Sequence, residues 1–369
     1  MPEPRPRIVA DPKQLTPEWL TAVLGAAGHD VRVRGFRHRA VGTGQMAHSE
    51  RIELDYHAPV PPGAPASLVG KFPSPSPESR ASGARGGYRA ETRFYTDLAE
   101  RLPIRTPRCL YGAISEDEST FTLILEDLAP AVQGDQIVGA SDAWIEAAVR
   151  NLAGLHAPLW NDPELDRLDW TTGGAGEEFA RYVELATPVF LERYADRLAF
   201  EDQDVLRRFA ERAQVWVASR PADKTLVHGD YRLDNLLFRD SVDSRDSPGS
   251  RVEARGCVVT AVDWQTLSVA CAGQDLAYLL GNSCEPEQRR AHEPRMLAAY
   301  REALAAFGVE RSAADVHSDY VYGSFQGPVI TMLGALAVGR TERGDAMFVA
   351  MARRSVAQIR DLRALERLA

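Results

Sequence analysis

Hydrophobic and polar positions follow two different periods along this chain. In the first third they alternate through residues 31–34, 51–56 and 68–72, as in half-buried strands. Two further strand-like runs, 109–114 and 120–125, lie on either side of a polar turn and predict a β-hairpin. This part of the chain is therefore predicted to be rich in β-structure.

Helical periodicity dominates after residue 128. Long helical patterns cover residues 143–159 and 204–217, and helices resume at Asp275 and continue to the C-terminus. We predict an α+β fold of two lobes. The β-rich N-terminal lobe would cover residues 1–128, and the mostly helical C-terminal lobe residues 129–369.

Three segments of the N-terminal lobe carry local signals of their own. Thr16, Pro17 and Glu18 combine a cap residue, a first-turn proline and an acid, which predicts the start of a helix. Residues 73–87 are rich in Pro, Ser and Gly and are interpreted as a mobile loop. Residues 88–102 have helical periodicity.

Composition restricts the classes of function. The 369 residues are 44% hydrophobic and 26% charged, and the net charge of −9 gives no support for a nucleic-acid partner. The four cysteines have no zinc-type spacing. The N-terminus has no apolar signal core, and the longest apolar run, 329–338, is too short to cross a bilayer. We expect a cytoplasmic protein without a membrane partner, either a monomer or a homodimer.

The strongest chemical signal is His228-Gly229-Asp230, followed five positions after the aspartate by Asn235. With this spacing, one short loop presents a carboxylate to a hydroxyl group and an amide oxygen to a metal ion. Asp230 is the candidate to accept the hydroxyl proton or to orient the hydroxyl, and Asn235 is a candidate magnesium ligand. His228 is interpreted as structural, and Asp234 as a surface or loop-stabilising acid.

A second carboxylate follows a strand of the buried type. Residues 258–262 are rich in β-branched side chains, and Asp263 comes directly after them. This aspartate is a candidate ligand for magnesium that bridges the β- and γ-phosphates of a nucleotide. The alternative is an aspartate that ends a strand and begins a turn.

Lysine is rare in this chain, because only three of its 43 Lys and Arg residues are lysines. One of them, Lys71, lies in an apolar strand, and Glu91 lies on the helix that follows. A Lys–Glu pair would direct the ammonium toward the α- and β-phosphates, whereas the alternative is an extended lysine and a solvated glutamate. Gly42 and Gly44 lie in a strand–loop–strand turn, which predicts either backbone contacts to phosphate or an ordinary hairpin.

The end of the last strand of the N-terminal lobe is a candidate nucleotide-binding edge. Residues 123–125 are apolar, and Glu126 and Leu128 follow at the predicted junction between the lobes. The main chain there would pair with the adenine base. An exposed strand end is the alternative, because main-chain contacts leave no signature in residue identity.

The ordered set of motifs resembles the aminoglycoside phosphotransferase and choline kinase-like superfamily. The resemblance covers nearly the whole chain, from the glycine turn to residues 275–278. It implies a bilobal kinase-like fold, ATP and Mg²⁺ as cofactors, and transfer of the γ-phosphate to a hydroxyl of a small molecule. It places Asp230 at the catalytic position, Asn235 and Asp263 at the two metal positions, and Lys71 at the nucleotide lysine.

Some segments depart from the aminoglycoside-modifying members. The Gly-Asp-Pro usual after the second metal aspartate is replaced by Ala270-Cys271-Ala272. Residues 263–265 and 132–136 look more like the ecdysteroid kinase-like branch. The predicted acceptor is therefore a hydroxylated natural product, antibiotic or metabolite, and an aminoglycoside is the alternative.

The acceptor site has one further candidate, an aromatic-rich stretch near the C-terminus. This stretch contains His317, Tyr320, Tyr322, Phe325 and Met332. These residues either line a pocket suited to a flat or apolar alcohol or belong to the helix core. A nucleotide-binding pseudokinase without turnover is the alternative function, although none of the expected metal or base residues is missing. A protein kinase is disfavoured, since no Ala-Pro-Glu motif follows Asp263.

Overall fold

An antiparallel sheet forms the N-terminal part of the protein. The computed structural model describes residues 6–42, 46–171, 177–240 and 256–368. The strands lie in the order β1-β2-β3-β5-β4, and every pairing is antiparallel. Their bounds are Val33–Ala40 (β1), Ala47–Tyr56 (β2), Ser67–Pro73 (β3), Cys109–Ile114 (β4) and Phe121–Glu126 (β5).

Three short helices accompany this sheet: Pro17–Ala26 (α1), Pro77–Gly83 (α2) and Gly87–Arg93 (α3). Helix α1 begins as predicted, with the Thr16 side chain accepting a hydrogen bond from the backbone N–H of Trp19. The interpretation of residues 73–87 as a loop is wrong for residues 77–83, which are helical. Helix α2 begins there at Pro77, and Ser76 caps it.

The helix predicted over residues 88–102 is interrupted. Helix α3 passes into a π-helical turn, Phe94–Leu98, and then into a 3₁₀ turn, Ala99–Arg101. The π turn adds a residue to the helical repeat. The residues that follow α3 therefore do not share the face that one continuous α-helix would give them.

Helices dominate the C-terminal part. They are Asp142–His156 (α4), Glu177–Tyr194 (α5), Phe200–Ala210 (α6), Ala213–Ala218 (α7), Gly273–Ser283 (α8), Pro286–Ala306 (α9), Ala313–Gly323 (α10), Gln326–Ala337 (α11) and Glu342–Asp361 (α12). The segment predicted as one helix over residues 204–217 is two helices, α6 and α7. Among the residues that the structure describes, no helix has the length and apolarity needed to span a membrane.

Five short strands carry the loops of the C-terminal part. They are Val132–Gln133 (β6), Thr225–Val227 (β7), Leu236–Asp240 (β8), Cys257–Ala261 (β9) and Ser268–Ala270 (β10). They pair as β6-β8-β9 and as β7-β10. Residues 228–235 lie between β7 and β8, and residues 262–267 between β9 and β10, so both predicted chemical segments are loops anchored by strands.

One buried core connects the two parts. It joins Tyr88, Phe94 and Leu123 of the N-terminal part to helices α4, α8 and α9. A second cluster lies among α5, α6, α7, α11 and α12, and a third lies between α1 and the sheet. The predicted α+β, bilobal kinase-like fold is confirmed, and the lobe boundary at residue 128 stays a prediction.

Helices α8 and α10 approach each other through glycines. A Cβ atom on Gly273 would lie 2.0 Å from the carbonyl oxygen of Asp319, and one on Gly323 would lie 1.9 Å from that of Gly273. No side chain fits between the two backbones. Helix α8 is consequently fixed in place at its first turn, two residues before Asp275.

Replacing Gly273 with Ala should destabilise the protein. The new methyl group must push apart two backbones that have no flexible neighbour, which we expect to lower the free energy of unfolding by about 3 kcal/mol. Urea unfolding measures the change. Gly25→Ala in α1 is the matched control, because a Cβ there meets nothing within 4 Å and should be neutral or stabilise by up to about 1 kcal/mol. Equal effects of the two substitutions would contradict the close approach.

Candidate active site

Lys71 is the centre of a buried ionic cluster. Its side chain, on β3, is 11% exposed, and its Nζ lies 2.7 Å and 2.6 Å from the two carboxylate oxygens of Glu91 on α3. The same Nζ lies 2.9 Å from Oδ1 of Asp263 in the loop after β9. The structure therefore brings together three residues that the sequence separates by 20 and 192 positions.

The charged forms of Lys71 and Asp263 stabilise each other, whereas burial raises the pKa of the Glu91 carboxyl. Burial alone would lower the pKa of the Lys71 ammonium, but the carboxylates of Asp263 and Glu91 outweigh it and raise that pKa. Burial alone would raise the pKa of Asp263, but the Lys71 ammonium holds it below its usual value. Lys71 and Asp263 are thus an ion pair at neutral pH.

Trp264 fixes the backbone beside Asp263. Its ring is fully buried and stacks on Phe94 with the centroids 3.7 Å apart, and its backbone N–H donates to Glu91. Asp263 itself adopts a left-handed backbone conformation with φ of +68°. For a residue other than glycine this conformation is strained and needs support from its surroundings. The stacked tryptophan supplies that support.

The Asp230 carboxylate receives hydrogen bonds from three side chains. Arg232 Nε lies 3.0 Å and 3.2 Å from its two oxygens, and Tyr278 Oη donates to Oδ1 at 2.8 Å. Asn235 Nδ2 donates to Oδ2 at 2.9 Å and to the Asp230 carbonyl at 2.9 Å. Burial and the charge of Asp230 raise the pKa of Tyr278 well above its usual value, so its hydroxyl stays protonated. These contacts fix the orientation of Asp230.

Asn235 and Asp263 lie on adjacent loops. The backbone N–H of Val262 donates to the carbonyl of Asn235 at 3.0 Å, and His228 Nε2 lies 3.1 Å from the Val262 carbonyl. Because Asn235 uses Nδ2 for Asp230 and Asp263 uses Oδ1 for Lys71, the amide Oδ1 and the carboxylate Oδ2 have no protein partner in the described parts of the chain.

Those two free oxygens fit magnesium. Mg²⁺ prefers oxygen ligands and usually binds through one or two carboxylates together with substrate phosphates and water. No three histidine, cysteine, aspartate or glutamate side chains converge on a metal position within the described ranges. Asn235 and Asp263 together offer two oxygen donors, fewer than the six ligands of an octahedral Mg²⁺ site.

Asp275 braces the loop from behind. It is fully buried, and its carboxylate accepts the backbone N–H groups of His228 at 2.6 Å and Gly229 at 2.9 Å. His156 Nε2 lies 3.3 Å from it, and His156 Nδ1 lies 2.6 Å from Tyr300 Oη. The bracing role of Asp275 is not visible in the sequence, where the available signal is a charged residue at the start of an apolar helical run.

Several ambiguous residues of the loop are resolved by their contacts. Asp234 is buried and binds Arg232 Nη1 at 2.7 Å and the backbone N–H of Gln136 at 3.0 Å, so it stabilises the loop. Tyr231 is buried and donates to the carbonyl of Ala148 at 3.0 Å. It packs in the core and does not face the cleft. His228 is buried and bonds to backbone, as interpreted.

The predicted nucleotide-binding residues lie on two separate parts of the N-terminal sheet. Gly42, with φ of +77°, lies in the β1–β2 connection, and Gly44 lies outside the described residues. Glu126 ends β5, and Leu128 follows it. Both border a cavity of about 170 Å³. Its other lining residues are Arg105, Thr106, Asp127, Ala129, Ala131, Leu237, Arg239, Val258 and Thr260.

The aromatic stretch near the C-terminus forms helix core. Tyr320 and Met332 have no exposed surface, Phe325 stacks on Phe209 at 4.7 Å, and Tyr322 stacks on Trp216 at 5.6 Å. The remaining member, His317, points to solvent. The alternative of helix core is therefore correct, and these residues give no support for a flat or apolar acceptor.

Comparison with known proteins identifies the family. Residues 63–314 match the model of the phosphotransferase enzyme family. The chain belongs to this family, and the predicted small-molecule kinase is confirmed at that level. A comparison with the curated protein sequences gave no match. The ecdysteroid kinase-like branch stays a prediction.

Solved structures share the fold at low sequence identity. Choline kinase from Cryptosporidium parvum is 9% identical with a TM-score of 0.55, and 94% of each chain is covered. Plasmodium vivax ethanolamine kinase is 10% identical with a TM-score of 0.52, over 95% of this chain and 91% of that one. The GDP complex of wild-type aminoglycoside 2′-phosphotransferase-IIIa is 15% identical with a TM-score of 0.51, over 93% and 99%.

The bracing role of Asp275 predicts a local loss of stability in Asp275→Asn. An amide has one acceptor oxygen where the carboxylate has two, and its NH₂ group would face a backbone donor. We expect the free energy of unfolding to fall by about 1–3 kcal/mol and hydrogen exchange at residues 228–230 to speed up. Asp204→Asn, at a half-exposed helical pair, should change stability by less than about 0.5 kcal/mol. Unchanged exchange in the loop would contradict the role.

Proposed function

We propose that this protein transfers the γ-phosphate of ATP, in the presence of Mg²⁺, to a hydroxyl group of a small molecule. The observation that carries the proposal is the joint arrangement of Lys71, Asp263, Asn235 and Asp230. A buried ammonium, two free metal-type oxygens and an oriented carboxylate lie on two adjacent loops and the strand facing them. Phosphoryl transfer depends on such positioned charges more than on covalent chemistry by the protein.

Asp230 is proposed to bind the acceptor hydroxyl. It would orient the oxygen for in-line attack and receive its proton. As the new bond from the acceptor oxygen to phosphorus forms, the bond from the γ-phosphorus to the β–γ bridging oxygen breaks and ADP leaves. Tyr278 and Asn235 hold the carboxylate from opposite sides, which keeps its aim constant.

Lys71 is proposed to contact the α- and β-phosphates. Glu91 holds the ammonium from the side of α3, so the cation is already oriented before a nucleotide arrives. Asn235 and Asp263 would hold Mg²⁺ through the oxygens that are free of protein partners. When bound, the metal would supply positive charge to the β- and γ-phosphate oxygens.

The adenine base of the nucleotide is proposed to lie against the edge formed by Glu126 and Leu128. The solved aminoglycoside 2′-phosphotransferase-IIIa structure is a GDP complex, so either purine is chemically reasonable for this fold. We propose ATP and test GTP beside it. Gly42 and Gly44 are proposed to lie over the phosphates, where glycine lets backbone N–H groups approach anions.

The acceptor is proposed to be a hydroxylated small molecule. Three of the structural neighbours are kinases of choline, ethanolamine and aminoglycosides. Each of those acceptors carries a hydroxyl group and a nitrogen. A first screen should therefore contain amino alcohols and aminoglycosides together with macrolides, sterols and simple sugars.

Asp230→Asn should abolish turnover. The amide cannot take the hydroxyl proton, and we expect acceptor-dependent ADP release to fall by about a hundred- to ten-thousandfold, with the thermal unfolding temperature nearly unchanged. The assay measures ADP formed from ATP, or from GTP, across the screen. Retained turnover in the variant would overturn the role of Asp230. Nucleotide binding without turnover on any acceptor would favour a pseudokinase.

Asp263→Asn should uncouple nucleotide binding from magnesium. The variant loses the charge that attracts the cation and pairs with Lys71. The gain in ADP affinity on adding Mg²⁺ should therefore be at least about tenfold smaller in the variant than in the wild type. Calorimetric titration with and without EDTA measures this. Asp240→Asn, at the exposed end of β8, is the control. An identical magnesium effect in all three proteins would argue against Asp263 as a ligand.

A further inference from the structure

Arg232 is an unusual neighbour for a candidate catalytic base. Its side chain is only 17% exposed and lies between two carboxylates, with Nε on Asp230 and Nη1 on Asp234. Nη1 also lies 3.2 Å from the sulfur of Met347 on α12. A guanidinium fixed from three sides has little freedom to move, so its remaining donor has a defined position.

The remaining donor is Nη2. It has no hydrogen-bond acceptor in the part of the chain that the structure describes, although Nε and Nη1 both do. Nη2 and Nε are bonded to the same carbon of the planar guanidinium group, so Nη2 lies close to the Nε that contacts Asp230. The Nη2 atom is not one of the fully enclosed, unsatisfied polar atoms. A charged donor therefore remains open to a ligand next to the Asp230 carboxylate.

The transferred phosphoryl group must come close to this donor. A hydroxyl bonded to Asp230 lies roughly 3 Å from the carboxylate, and the attacked phosphorus lies roughly 3–3.5 Å beyond that oxygen. Asp230 and Asp234 together carry two negative charges at this place. Without a nearby cation they would repel a γ-phosphate, and Arg232 compensates one of those charges directly.

We propose that Arg232 binds the γ-phosphate of the nucleotide through Nη2 while its Nε holds Asp230. This inference rests on the proposed function and adds a residue to it. Lys71 neutralises the part of the nucleotide that stays with ADP, and Arg232 neutralises the part that is transferred. One guanidinium then contacts both the Asp230 carboxylate and the γ-phosphate, whose charge must be stabilised during transfer.

The test compares a nucleoside triphosphate with the diphosphate, so no acceptor is needed. The probes are the non-hydrolysable imido analogue of ATP and ADP, each with Mg²⁺, titrated calorimetrically. In Arg232→Gln the affinity for the analogue should fall by about ten- to a hundredfold, with ADP affinity within about twofold of wild type. Arg232→Met, whose unbranched chain fits beside Met347, is the second uncharged variant and should behave alike.

Two further variants separate this role from general damage to the loop. Arg343→Gln removes the other arginine on Asp234 and leaves Asp230 untouched, so it should keep the wild-type ratio of analogue to ADP affinity within about twofold. Arg232→Lys should lose less of that ratio than Arg232→Gln, because it keeps the charge.

The outcomes are distinguishable. A ratio that falls only when the Arg232 charge is removed supports the proposal. An unchanged ratio in folded Arg232→Gln or Arg232→Met overturns it and leaves the proposed function intact. Equal loss of analogue and ADP affinity also overturns it, because Arg232 would then act on the loop as a whole. If wild-type protein binds neither nucleotide, the proposed function itself fails.

Discussion

The site depends on the ammonium group of Lys71 being fixed by carboxylates from two different parts of the fold. Glu91 belongs to a helix beside the N-terminal sheet, and Asp263 follows a strand of the C-terminal part. A buried charge without partners is strongly unfavourable, and removal of one partner from a buried pair typically costs about 3–5 kcal/mol. The cluster is thus satisfied only when the two parts of the protein are correctly placed, so stability and the geometry of the cleft are linked.

The same constraint extends to the loop that carries Asp230. Trp264, next to Asp263, stacks on Phe94, and Val262 on its other side bonds to Asn235 and His228. A displacement of the Asp263 loop would therefore disturb both the helix that carries Glu91 and the loop that carries Asp230. Asp275 holds the Asp230 loop from behind, since it accepts the backbone N–H groups of His228 and Gly229. Helix α8 in turn is placed by its glycine contact with α10.

The sequence predicted the fold and the central residues because their signals are local and ordered. Strand alternation and the spacing from Asp230 to Asn235 are properties of short segments, and their order along the chain indicated which segments meet. Asp275 was not predicted as a brace because its partners lie 46 and 47 residues earlier in the chain. Only the folded structure brings them together. The aromatic stretch near the C-terminus was ambiguous for a related reason, since pocket lining and helix core have the same composition.

Helix α2 was missed for a different reason. Its Ser76-Pro77-Glu78 start carries the same cap, first-turn proline and acid as the start of α1 at Thr16-Pro17-Glu18. The Pro, Ser and Gly content of residues 73–87 predicts a loop, whereas the cap at Ser76 predicts a helix start. Cap chemistry decides the structure here because it acts at a defined position, whereas composition does not.

The two cations of the site differ in kind, and the difference follows from their surroundings. Lys71 must satisfy two carboxylates in a narrow space, which suits a compact ammonium with three donors. Arg232 must hold two carboxylates in fixed directions and keep a further donor free, which requires the planar guanidinium. In a chain that uses arginine almost everywhere else, a lysine at position 71 is therefore explained by the chemistry of its site. The arginine at position 232 is explained as well, because a lysine there has no rigid fork with which to join Asp230 and Asp234 in one plane.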